Sequence, residues 1–155
     1  MLREFFNLWN PRVDSAPGLR QSGAVPYVVR DGKVVFLLVT SRRTGRWIFP
    51  KGSVSTGMTA WDSAAKEAFE EAGVTGVVGT ESLGSYRISD KGQLVDVDLY
   101  PLRVETQLDV WDEMDQRKRH WVLLGEAKRL LRDRALTRIT DRLHRQLMAD
   151  LVTTQ

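Results

Sequence analysis

Apolar residues in this chain repeat with two periods, and the switch between them marks out its elements. Trp61, Ala64, Ala65, Ala68, Phe69 and Ala72 recur every three or four residues, the spacing of one helical stripe. Thr59 stands where an N-cap belongs, with Asp62 three residues on, and Gly73 where a C-cap belongs. The same period over Leu136, Ile139, Leu143, Leu147 and Leu151 predicts a final helix, preceded by a shorter one over 125–131. Leu2, Phe5, Phe6 and Trp9 keep helical spacing up to Pro11, which predicts a short helix packed on the body and then a linker to Leu19.

Elsewhere the period is two. Val95, Val97 and Leu99 alternate with Asp96, Asp98 and Tyr100, so a strand over 94–104 has one apolar and one polar face. It pairs in expectation with 79–88 across a turn at Asp90-Lys91-Gly92. Asp31-Gly32 is a strong hairpin signal between strands at 24–29 and 33–40, and the unbroken apolar run 34–39 suits a strand buried on both faces. A short apolar strand ends at Pro50, and 119–122 reads as another. Mixed strands and helices make the class α/β (α+β).

The chain has 155 residues, of which 42% are hydrophobic. That is enough for one core, so a single domain over 1–155 is expected, with 1–19 as N-terminal helix and linker. No apolar run approaches the ~20 residues of a membrane span, and no signal-peptide core is visible; a cytoplasmic protein with no membrane partner is expected. The absence of cysteine excludes disulfides, thiolate metal sites and a cysteine nucleophile. A net charge of +3, from 23 basic and 20 acidic residues, is too small an excess to point to nucleic acid. Its distribution says more: Arg42, Arg43, Arg46 and Lys51 form one basic cluster and Arg117, Lys118 and Arg119 another. His120 and His144 offer no catalytic pattern, and monomer and homodimer are both open.

Glu67, Glu70 and Glu71 fall outside the helical stripe as neighbours at i, i+3 and i+4. They crowd the last two turns before Gly73, where the helix dipole disfavours acids and each like-charged pair costs roughly 0.2–0.5 kcal/mol. A solvated acidic face is one reading; a divalent cation, which reverses the sign of that repulsion, is the other. The segment leading in, from Trp47 to Thr59 with Gly52 and Gly57, runs from strand through loop to helix, so backbone carbonyls and carboxylates can be aimed at one point.

This stretch resembles the Nudix hydrolases, whose box runs Gly, five residues, Glu, seven residues, Arg-Glu, an apolar and any residue, Glu-Glu, any residue, Gly, apolar. Gly52, Glu67, Ala68, Glu70, Glu71, Gly73 and Val74 match in spacing; Met58 replaces the first Glu and Lys66 the Arg. In the family these two mainly brace loop against helix, whereas the other acids carry metal and chemistry. Residues 41–52, and Trp111-Asp112-Glu113 with Arg117-Lys118-Arg119-His120-Trp121, are similar to the diphosphoinositol polyphosphate phosphohydrolases and their bacterial relatives.

The resemblance implies an α/β/α sandwich with a mixed sheet. It implies Mg2+, with Mn2+ as the substitute, held by Glu67, Glu70, Glu71 and the Lys51 backbone carbonyl, and Glu67 or Glu70 as general base. An acid from a later loop is also implied, with Asp96, Asp98, Asp112 and Glu113 as candidates. Because arginine forks match phosphate oxygens, Arg42, Arg43, Arg46, Lys51, Arg117, Lys118 and Arg119 are the expected substrate clamp. The implied activity is metal-dependent hydrolysis of a phosphoanhydride in a highly phosphorylated small molecule, of the diphosphoinositol polyphosphate or diadenosine polyphosphate type. A nucleotide-sugar or nucleoside-triphosphate pyrophosphatase and a non-hydrolytic Nudix-like binding module are the alternatives.

Overall fold

The computed structural model describes residues 20–154. The helix and linker expected over 1–19 lie outside them. Eight strands form one mixed sheet: β1 (Arg20–Arg30), β2 (Lys33–Thr40), β3 (Trp47–Ile48), β4 (Lys51–Ser53), β5 (Val74–Val78), β6 (Gly84–Asp90), β7 (Gln93–Gln107) and β8 (Arg119–Leu123). The helices are α1 (Ala60–Ala72), α2 (Leu124–Leu131) and α3 (Arg134–Thr154). The central order is β3-β2-β1-β7-β5, with β8 beside β2, β4 beside β1 and β6 beside β7. The β1/β7 pair is parallel, from Arg20↔Asp96 to Tyr27↔Arg103; its neighbours are antiparallel.

Helices cover both faces, as the sandwich requires. On one side Val25, Phe36, Leu38, Val97 and Leu99 pack under Ala127, Leu131, Leu136, Ile139 and Leu143 of α2 and α3. On the other, Ala24, Leu37, Val39 and Leu102 pack under Ala64, Ala68 and Ala72 of α1. Leu37 and Leu38 thus bury opposite faces of β2, which explains its unbroken apolar run. Among the described residues no helix is long and apolar enough to cross a membrane.

Three expectations change. The turn after β6 is a two-residue one at Lys91-Gly92, both with positive φ, so Asp90 pairs with Gln93 inside the ladder. Residues 79–83 are a connection, and two strands are missing from the pattern: the three-residue β4, within the expected loop, and β5, whose Thr75, Gly76 and Val77 are all exposed at a sheet edge and so show no alternation. Finally, the buried arc of α1 is rotated toward its acids. Phe69 is exposed, whereas Ser63 and Glu71 are buried, because on that flank the helix meets a loop that supplies polar partners.

Candidate active site

β3 and β4 carry the loop that meets α1. The Ala24 N–H donates to the Pro50 carbonyl at 3.0 Å, and β4 then pairs with β1 through Gln21↔Ser53 and Gly23↔Lys51. This lays Lys51 and Gly52 against the acidic flank of the helix. A Cβ at Gly52 would overlap the Glu67 carboxylate, so only glycine lets that carboxylate lie on the loop backbone. The Lys51 N–H points at Glu71 Oε1, 3.4 Å away, and the buried Ser63 Oγ accepts the Ser55 N–H at 3.0 Å, tying the loop to the helix. Thr59 caps the helix by accepting the Asp62 N–H at 3.1 Å.

Glu71 is 3% exposed and hydrogen-bonded to Glu67. Burial pushes its carboxyl up to about 8; Arg117 opposes the rise, and repulsion from Glu67 and Glu113 adds to it. Burial also raises Glu67, and the hydrogen bond from Glu71 opposes that rise. Near neutral pH the proton therefore sits on Glu71 and is offered to Glu67. Arg117 reaches Glu71 Oε2 at 3.3 Å and Glu113 Oε1 at 2.7 Å. Glu70 lies apart from this group, its carboxylate paired with Lys66 at 2.9 Å along the helix.

A cavity of about 510 Å3 opens over the group, lined among others by Glu67, Glu71, Glu113, Arg42, Arg43 and Lys51. On its wall the Lys51 ammonium donates to Gln21 Oε1 at 3.3 Å, and Asp90 accepts from Gln21 at 3.5 Å and from Arg43 at 3.4 Å. Burial lowers the Lys51 pKa, and Glu71 opposes the fall.

No three acidic or histidine side chains among the described residues converge as a ready-made metal cage. The donors are nevertheless all hard oxygens, and the Glu67–Glu71 pair holds a shared proton where a cation would compensate its charge instead. Magnesium is commonly held by one or two carboxylates, with waters and substrate phosphates completing the shell, so the set fits it, and Mn2+ as well.

A strap from Leu108 to Arg119 closes the end of α1. Four main-chain carbonyls there are taken by it: Glu70 O by the Glu113 N–H at 3.1 Å, Glu71 O by Trp111 Nε1 at 3.0 Å, Ala72 O by Arg119 Nη1 at 2.9 Å and Gly73 O by the Leu108 N–H at 2.8 Å. Gly73, at φ 68°, turns the chain and donates to Phe69 O. The Arg119 guanidinium stacks on Trp111, 3.8 Å from the ring centroid.

The expected clamp therefore divides. Arg42, Arg43, Lys51 and Arg117 line the cavity, whereas Arg46 faces a separate cleft beside Trp47 and Arg132. Arg119 is occupied in capping the helix, Arg117 is occupied with carboxylates, and Lys118 is exposed, its backbone pinned to Thr40. Of the candidate later acids, Glu113 lines the cavity; Asp98 pairs with Arg20 and Asp96 with Arg87, away from it, because the polar face of β7 is spent on neighbouring strands. Gln21, Asp90 and Lys91 are additional cavity residues. The one local signal for them was the hairpin turn; their arrival at the site depends on the β1/β7/β6 register.

Residues 20–143 match the model of the NUDIX domain. The chain is 31% identical over 133 residues to Nudix hydrolase 13, mitochondrial, of Arabidopsis thaliana, covering 72% of this chain and 66% of that protein. It is 34% identical over 99 residues to diphosphoinositol polyphosphate phosphohydrolase 2 of Rattus norvegicus, covering 63% and 54%. A crystal structure of C. elegans Ap4A hydrolase shares the fold, with a TM-score of 0.69 at 23% identity over 83% of this chain and 98% of that one. The chain spans about three fifths of the length of the Arabidopsis proteins it matches.

Proposed function

The chain belongs to the Nudix domain family, and from that premise we propose that it hydrolyses a phosphoanhydride bond in a highly phosphorylated small molecule, with Mg2+ as its cation. The observation that carries this reading is the meeting, in one cavity, of the Glu67–Glu71 pair and Glu113 with Arg42, Arg43 and Lys51. Acids and cations have separate tasks in such a reaction. Arg42, Arg43 and Lys51 face the polyphosphate, where guanidinium forks match pairs of phosphate oxygens. Glu67 is the general base of this reading, since it accepts the hydrogen bond from Glu71, which favours its ionised form, and is the less deeply buried of the pair. A divalent cation bound by these carboxylates supplies Lewis-acid polarisation of the phosphate and activation of water.

The relatives are named for two substrate types, diphosphoinositol polyphosphate in the rat protein and Ap4A in the nematode one, and both carry several adjacent phosphates. A cavity with cations along one wall and acids on its floor suits that chemistry. A cytoplasmic location belongs to the same proposal; several plant relatives carry organellar names, so cell fractionation decides it.

One observation favours a non-hydrolytic binding module instead: Glu70, a box acid, is tied to Lys66, which occupies the position of the family's arginine. Phosphoanhydride cleavage with and without Mg2+, followed by separation of the products, across diphosphoinositol polyphosphate, diadenosine polyphosphate, nucleotide sugar and nucleoside triphosphate separates the readings. The proposal expects cation-dependent turnover favouring the first two; binding without turnover of any of them supports the module.

A further inference from the structure

Arg117 lines the cavity but is in the wrong state for a phosphate clamp. Its side chain is only 8% exposed, and its guanidinium is divided among Glu113 at 2.7 Å, Glu71 at 3.3 Å and the Thr40 carbonyl at 2.9 Å. These partners come from three stretches of chain, the strap, α1 and the end of β2. Arg42 and Arg43, by contrast, are exposed, and each has one side-chain partner, Gln116 and Asp90.

When both are ionised, Glu71 and Glu113 repel each other, and that repulsion is one cause of the raised Glu71 carboxyl. A planar fork with five donors placed between them converts the repulsion into two fixed contacts, and its third contact fastens the pair to the sheet. The fork's own place is set without any ligand. Neighbouring backbone holds it, through Arg117 N–H to Glu113 O at 3.1 Å and Lys118 O accepting from the Thr40 N–H at 3.0 Å, while the strap is bonded to the end of α1.

We propose that Arg117 is a positioning residue: it holds Glu71 and Glu113 at a fixed separation in the cavity lining and does not itself bind the substrate's phosphates. The basic run Arg117-Lys118-Arg119 is then part of the framework of the site. The kinetic part of this inference rests on the phosphoanhydride reading above; the structural part does not.

The test compares Arg117→Met and Arg117→Lys with Arg42→Met. A positioning residue acting through carboxylates lowers kcat, about thirtyfold or more in Arg117→Met, and leaves KM within about threefold; Arg42→Met does the reverse. Arg117→Lys recovers part of kcat, because an ammonium serves fewer of the three partners at once. Should Arg117→Met fail to fold, the lysine variant carries the same comparison. A rise in KM of about tenfold at unchanged kcat makes Arg117 a clamp and overturns the inference. In cation-free protein, Arg117→Met also speeds amide exchange over residues 67–73 relative to Arg42→Met, and equal exchange in the two overturns it. If the wild type cleaves no phosphoanhydride, the functional proposal fails and the exchange comparison alone decides this one.

Discussion

The indole N–H of Trp111 donates to the main-chain carbonyl of Glu71 at 3.0 Å, so the residue whose carboxyl is buried under the cavity is held from behind by a side chain forty positions away. Acids near a helix C-terminus are unfavourable, yet here the exposed carbonyl dipoles that make them so are taken by donors from the strap, Arg119 among them. The strap thereby offsets part of the cost that three glutamates impose on α1.

Trp111→Phe removes that one donor and keeps an aromatic ring for Arg119 to stack on. The loss is one net hydrogen bond, about 1 kcal/mol, and about 2–4 °C in Tm for a domain of this size. Arg119→Met removes a carbonyl bond and the stacking together and should cost more. Thermal melts of both variants check this, and equal, negligible shifts would mean that the strap does not support the helix end.

The Glu71 carboxyl gives the cation-free protein a pH signature. Its pKa is raised from 4.5 to about 8, so the folded state binds more protons than the unfolded state between those values. The associated stability is complete below about pH 4.5 and is lost as the pH climbs through 8. Glu71→Gln removes the dependence, so in a chelator the variant gains stability relative to wild type between pH 5.5 and 9, by roughly the linkage of one buried carboxyl. Parallel curves for the two proteins would place the titration elsewhere.

Gly52→Ala tests the contact between loop and Glu67. The Gly52 backbone does not need the left-handed region, and the nearest obstacle to a methyl is the Glu67 carboxylate. A cost of about 1–3 kcal/mol is expected from the overlap. In a Glu67→Ala background that cost should shrink by about 1 kcal/mol or more, read from a double-mutant cycle in urea; an unchanged cost would show that the two do not meet.

Ser63→Ala leaves the Ser55 N–H without its partner in a half-buried loop, at a cost of about 1–3 kcal/mol. Lys66→Met breaks only an exposed, solvent-screened pair on the helix surface and should cost much less. The ranking of the two in denaturant melts locates the brace between loop and helix; a larger effect at Lys66 would return it to that position.

Local chemistry made part of this site legible. Thr59, Gly73, Gly52 and the glutamates lie within one strand–loop–helix unit, where spacing along the chain is nearly spacing in space, and the cap, the turn and the acidic flank all appear as read. Burial within that unit was not legible. The apolar stripe alone placed Glu71 outside and Phe69 inside, because the pattern records which residues are oily and not which polar ones will find partners in a loop. The basic run at 117–119 is the clearest limit of the sequence. Three adjacent cations look alike on paper, yet strand pairing sends Arg117 to carboxylates, Arg119 to a helix end and Lys118 outward. Gln21 and Asp90 reach the cavity only through the β1/β7/β6 register, which no local pattern encodes.

The most direct test is the Mg2+-dependent rate of phosphoanhydride cleavage, read as phosphate from a diphosphoinositol polyphosphate or as nucleotides from a diadenosine polyphosphate, by wild type, Glu67→Gln and Glu71→Gln. Each change keeps the side-chain volume and removes a carboxylate from the pair, so the expected loss is about a hundredfold or more with the fold retained. Wild-type protein that cleaves neither of these substrates, or variants that turn over at near wild-type rates in saturating Mg2+, would contradict the assignment of this pair as the centre of the site.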